Sequence, residues 1–139
     1  AVQMTSPYNE LNAAIYTKLS GGTVLTNALG GTCIYHGVAP EGAALPYVVW
    51  SYAAGGADNF TPRESVQEVV YVRAYADDAK EAATIDGHIN NLLNGTLSVT
   101  SWNNFWLARE EDFLLPEIDE AGKHTWACGA YYRVRMDKS

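Results

Sequence analysis

Cysteine is scarce: Cys33 and Cys128 are the only two in 139 residues, too few for a disulfide framework. Both sit among strand-like residues, where buried free thiols in a reducing compartment are expected and a single bridge is the alternative. Long apolar runs are missing as well, since no stretch approaches the ~20 residues that span a bilayer. The opening Ala1-Val2-Gln3 shows no charged-then-apolar leader; trimming of an initiator methionine is the expectation, with a removed signal peptide as the alternative. Positive charge is also short, nine Lys and Arg against 16 Asp and Glu, for a net charge of −7. That balance argues against a protein that grips nucleic acid, because such grip rests on Lys and Arg replacing counterions along the phosphates. It leaves room for a surface that nucleic acid slides past.

Catalytic signatures are absent too. No G-x-S-x-G elbow, phosphate loop or G-x-G-x-x-G occurs, and the paired glycines at 21–22, 30–31 and 55–56 read as punctuation. Cys33-x-x-His36 with His124-x-x-x-Cys128 offers four ligand types that zinc accepts. Strand geometry works against it. Residues three apart on a strand point to opposite faces, and four residues along a strand span roughly 13 Å. No metal and no cofactor is therefore expected. His88 reads as a surface or boundary residue of a helix. Asn59-Phe60-Thr61 and Asn94-Gly95-Thr96 match the glycosylation pattern by chance.

What the chain does contain is clear periodicity. An apolar share of 47% describes a folded chain, and the length fits one domain over residues 1–139. Ser6-Pro7 opens a helix whose stripe is Tyr8, Leu11, Ile15 and Leu19, and Gly21-Gly22 stops it. A further short helical turn is expected within 23–29. A strand at 32–36 is followed by a Gly, Pro and Ala-rich crossing, and Pro46 then launches a strand over 47–54. Residues 66–76 alternate, with Glu68 the exception on the otherwise apolar face of Val66, Val70, Val72 and Ala74. The two long strands read as an extended hairpin.

Asp78-Ala79-Lys80-Glu81 is a capping box, and Ala82, Ile85, Ile89 and Leu92 form the stripe of the helix that follows. A short strand is expected at 96–99 and an aromatic-rich one at 102–111. Residues 113–123 are expected to form a long acidic connection. The last strand, 125–136, directs Trp126, Cys128, Ala130, Tyr132, Val134 and Met136 one way, and Tyr131, Arg133 and Arg135 the other. The expected fold is α+β: a mostly antiparallel sheet, two main helices packed on one face, and a long hairpin extension.

Two groups of residues stand out as candidate surfaces. Trp50, Phe60, Trp102, Phe105 and Trp106 are more large aromatics than one small core readily hides on a single face. Plain core packing is the first reading and a subunit or partner interface the alternative, with Trp50, Tyr52, Phe60, Trp102 and Trp106 as its candidates. Phe60, in the loop of the hairpin over 47–76, is expected to supply an assembly contact. The carboxylates Glu110, Glu111, Asp112, Glu117, Asp119 and Glu120 lack the spacing of a calcium loop; a solvated or repulsive loop is the first reading, and a wall that keeps a polyanion moving is the alternative.

Tyr8-Asn9-Glu10-Leu11-Asn12-Ala13-Ala14-Ile15-Tyr16 leads to Ile34-Tyr35-His36-Gly37-Val38-Ala39-Pro40, and then to Ala44-Leu45-Pro46-Tyr47-Val48-Val49-Trp50. This run, continued by Val69, Tyr71 and Arg73, the helix over 79–93 and Tyr131-Tyr132-Arg133-Val134, resembles the tail-completion (tail-terminator) proteins of long-tailed bacteriophages. The resemblance implies a structural virion protein with no active site. Its copies would form a ring, usually hexameric, at the head-proximal end of the tail. Tail tube protein and the head-tail connector or stopper would be its partners, and DNA would pass through an acidic lumen. A head-tail connector or other minor tail protein of the same virion is the alternative. A small ligand-binding domain or enzyme using Glu111, His124 or Tyr131 is a third reading.

Overall fold

The computed structural model describes residues 7–57, 65–118 and 122–138. Leu11, Ala14, Ile15 and Leu19 recur at three- and four-residue spacing and give helix α1 (Tyr8–Ser20) a buried stripe. Pro7 occupies its N-cap without a side-chain hydrogen bond, and the expected cap Ser6 lies outside the described residues. A second helix, α2 (Thr23–Leu29), ends at Gly30, whose φ of 76° suits glycine. The third, α3 (Ala79–Leu92), begins as its sequence predicts: Asp78 Oδ1 accepts the backbone N–H of Glu81 at 2.7 Å.

Five strands form one sheet in the order β1-β2-β3-β5-β4. Strand β1 (Ile34–His36) is short and runs parallel to β2 (Tyr47–Ala57), an exception in an otherwise antiparallel sheet. β2 turns back into β3 (Ser65–Ala76), pairing from Tyr47↔Tyr75 to Ala57↔Val66 with a bulge at Tyr52/Ala54. β5 (His124–Lys138) pairs with β3 on one side and with β4 (Trp102–Ile118) on the other. Val48, Trp50, Val70, Val72, Ala74, Ala130, Tyr132, Val134 and Met136 all point to the side where the three helices lie. Among the described residues, no helix covers the opposite face.

Two sequence expectations are corrected. The segment 96–99 is not a strand: Asn104 Oδ1 accepts the N–H of Leu97 at 2.7 Å, while its Nδ2 donates to the carbonyls of Trp106 and Arg135. One buried amide side chain thus holds the segment where a ladder was expected. The acidic connection also does not begin at Phe113. β4 continues to Ile118, because β5 offers a partner along its whole length, from Trp102↔Lys138 to Ile118↔His124. Carboxylates on an edge strand keep their water, so they do not oppose strand formation there. A bulge at Arg109/Asp112 absorbs the extra residues, and the connection shrinks to 119–123.

Gly129 lies opposite Arg73, and a Cβ there would meet Val72 O at 2.0 Å and Arg73 Cα at 2.8 Å. Backbone cannot yield as a side chain can, so Gly129→Ala should destabilise by about 3 kcal/mol, the upper range of overpacking costs. The matching change in open space, Gly87→Ala on α3, meets nothing within 4 Å and should stabilise by about 0.5–1 kcal/mol. Paired thermal and urea melts of the two variants check both signs.

Candidate assembly surfaces

Alternation along β3 and β5 that places aliphatic residues under the helices necessarily places their neighbours on the uncovered face. Those neighbours are rings and guanidinium groups. Tyr35, Tyr47 and Tyr75 form one row across β1, β2 and β3, with centroid separations of 6.1 and 5.2 Å. Tyr131, Tyr71 and Phe113 form a second, with Tyr71 stacked on Tyr131 at 4.7 Å and tilted against Phe113 at 5.3 Å. The Arg73 guanidinium lies 4.3 Å from the centre of the Tyr71 ring, and that of Arg135 lies 5.6 Å from that of Phe105. Burial raises the phenols of Tyr71 and Tyr75 above their ordinary value. The Nε of Arg73 is buried without a hydrogen-bond partner. Tyrosine and arginine are the residues that anchor protein interfaces, and here stacking has already restricted their motion.

The structure redistributes the aromatic residues singled out from sequence. Trp50 is 1% exposed and stacked on His36 at 4.0 Å, and Trp102 is 5% exposed. Both belong to the core, because their strand positions are in phase with the helix-facing residues, so neither offers a partner any surface. Tyr52 is half-buried against Tyr8, with its hydroxyl donating to Asn12 Oδ1. Trp106 does present surface, at 49% exposure. Phe60 lies outside the described residues, as do Asp119 and Glu120.

The remaining carboxylates lie along β4 and are not gathered on one wall. Glu110 accepts from Arg133 Nε at 2.9 Å, which holds its carboxyl below the usual range, and Asp112 sits 3.6 Å from Arg109 on the helix side. Glu117 is opposite Thr125, on the uncovered face, and Glu111 is exposed within the bulge.

Residues that sequence offered for chemistry do not converge. Cys33 and Cys128 are free thiols, and β2 and β3 stand between β1 and β5. That spacing is roughly 14 Å, too far for a shared ion or a disulfide. Among the described residues, no group of three His, Cys, Asp or Glu could hold a metal ion. His124 and Tyr131 are seven residues apart on β5, roughly 23 Å along an extended strand.

One buried polar group was not legible in the sequence. Arg109 grips Asp86 with both terminal nitrogens, at 3.1 and 2.7 Å, and donates to the Tyr132 hydroxyl at 2.8 Å. Burial, with Asp86 beside it, pushes the Cys128 thiol up to about 11, so it stays protonated and unreactive.

The fold and its surfaces can be set beside known proteins. The family model described as tail completion protein gp17 matches residues 13–117. The chain belongs to that family. It is a structural component of a phage tail. No curated protein matches it. A chain from the virion of a native gene transfer agent particle superposes with a TM-score of 0.74 at 19% identity, over 96% of this chain and 99% of the other, and so shares its fold.

In this tail completion protein the helix layer is joined to the hairpin by a buried carboxyl. Glu68 is 2% exposed on the apolar face of β3, and its Oε2 accepts from the Tyr8 hydroxyl of α1 at 3.2 Å. Gly55 is its cross-strand neighbour, and a Cβ there would lie 1.6 Å from that oxygen. Burial raises the Glu68 carboxyl above its ordinary 4.5, and the Tyr8 hydrogen bond offsets only part of this. A raised folded pKa means the native state holds its proton more tightly than the unfolded chain. The stabilisation is complete below about pH 4.5 and fades as pH rises through the raised value. Glu68→Gln keeps an acceptor for Tyr8 and removes the charge. Its melting temperature should match the wild type near pH 4.5 and exceed it by a few degrees, about 2–5 °C, at pH 7.5. Calorimetry across that range checks the sign and the pH dependence.

Proposed function

We propose that this chain is a tail terminator. Copies of it, six by resemblance, close into a ring at the head-proximal end of the tail, stop growth of the tube and present the surface to which the head-tail connector or stopper joins. DNA passes through the ring without specific binding. The observation that carries this reading is the uncovered sheet face of a tail completion family member, with aromatic rings and arginines in stacked rows and no helix over them. A sheet face of that composition in a small structural protein is a docking plate for other tail proteins. The net charge of −7 supports a bore that repels the genome as it passes. Ring contacts between identical subunits are head-to-tail, so two unlike patches per copy are required.

Electron microscopy of particles carrying a tagged copy should place the protein at the neck, between tube and connector, as a closed ring. A position elsewhere along the particle axis would assign it to the connector or to another minor tail role. A second measurement addresses the plate itself. Arg73→Ala combined with Tyr131→Ala removes two plate side chains and leaves the helix-side core intact. Complementation with that variant should yield at least tenfold fewer joined particles, while the purified protein melts within about 5 °C of the wild type.

A further inference from the structure

Nine large apolar side chains are exposed among the described residues, and five of them lie on β4: Phe105, Trp106, Leu114, Leu115 and Ile118. Among the described residues β4 is the outermost strand of the sheet, with no strand beside its outer row of backbone groups. The register puts Trp106 and Leu115 on the uncovered face, and Leu114 and Ile118 on the helix side. A strand with exposed apolar groups on both faces has the character of an interior strand, yet it stands at an edge. Its two bulges, Pro116 and the carboxylates Glu110, Glu111 and Asp112 interrupt the edge without covering it. The opposite edge is unlike it. β1 pairs with Val48, Val49 and Trp50 of β2, and residues 51–57 extend past it with no strand on that side among the described residues.

We infer that the sheet of one copy continues into the next, with the outer edge of β4 pairing along the part of β2 that β1 leaves open in a second copy of this chain. Strand directions favour this occupant. β2, β3, β5 and β4 alternate in direction, so β2 and β4 of one copy run opposite ways. Rotation about an axis along the strands preserves direction, so β4 meets the next β2 antiparallel, in continuation of the existing ladders. The contact joins two different edges, leaves each copy with one of each, and closes when the rotation completes a turn. Every copy in a closed ring then has the open part of β2 and the facing part of β4 paired, which lessens the aggregation hazard that an exposed strand edge presents. The inference rests on the ring reading and specifies its contact.

The experiment uses the full chain at equal concentrations, read by native mass spectrometry and by hydrogen exchange, alone and with tail tubes. Phe105 and Trp106 are 47% and 49% exposed, and Trp106 stands level with Gly56 across the sheet, so Phe105→Lys with Trp106→Lys alters the edge and not the core. Rings of wild type should carry slowed exchange in β4 and in residues 51–57, and the double variant should form at least tenfold fewer of them with its melting temperature unchanged. Val24→Lys, at 62% exposure on α2, should form rings like the wild type. As a direct probe of proximity, Ala53→Cys with Ala108→Cys, which stand level across the sheet, should give oxidised ladders longer than a dimer. Rings that persist in the edge variant, with β4 exchanging freely, would overturn the contact and leave the terminator reading standing. Wild type that forms no ring even on tubes would overturn both.

Discussion

Twelve consecutive residue pairs join β3 to β5 without a register shift, from Ser65↔Asp137 to Ala76↔Trp126. Side chains on paired strands alternate in phase, so this one ladder assigns every nearby residue to one of two environments. On one side Val66, Val70, Val72, Ala74, Ala130, Tyr132, Val134 and Met136 make a continuous apolar surface that α1 and α3 must cover. On the other side lie Tyr71, Arg73, Tyr75, Tyr131, Arg133 and Arg135. A slip of one residue would bury the arginines and expose the valines, a change too costly for a domain of ordinary stability. Gly129 belongs to the same constraint. The ladder crosses Arg73 so closely there that even a methyl group has no place.

Buried ionisable groups add to this frame without explaining its stability. Taking Asp86 and Arg109 out of water costs several kcal/mol per ion, about what a good bidentate geometry returns. Their effect lies in placement, since Arg109 reaches from β4 to α3 and to Tyr132 on β5, and so fixes where the helix lies on the sheet. Glu68 does the same at the other end, with a bond from β3 to Tyr8 on α1. Its carboxyl shares that corner with the phenol of Tyr52, and burial followed by the Glu68 charge holds that phenol protonated well beyond its ordinary range. The helix layer is therefore held on the sheet at two points by polar bonds and between them by packing.

Much of this was legible because it is local. The stripe of α1, the Asp78 cap and the alternation in β3 and β5 depend on spacings of two to four residues, which a sequence displays directly. Glu68 was visible as the one polar residue in an apolar series. The errors arose where a distant partner decides the outcome. β4 extends through Glu111, Asp112 and Glu117 because β5 is there to receive it, and nothing within 113–118 announces that partner. Trp50 and Trp102 stood between core and interface because aromatics were counted for the whole chain, and the three helices give the core room for both. The pairing of Asp86 with Arg109 spans 23 positions, and Asp86 taken alone reads as an ordinary helix carboxylate. The uncovered face was implicit in the positions opposite the apolar ones, but sequence alone does not say that no third layer covers it.

Charge on the molecule acts at two ranges. The net −7 is felt by anything approaching, but at physiological salt it decays over about 8 Å. Within that distance the local arrangement takes over. Arg133 is paired with Glu110, the Arg73 guanidinium lies over the Tyr71 ring and that of Arg135 over the Phe105 ring. These three guanidinium groups are thus poorly arranged to hold a phosphate backbone. Grip on DNA comes from extended arginines and lysines that release counterions, whereas a folded, ring-covered arginine releases few. A surface so arranged favours contact with protein and offers little to a nucleic acid.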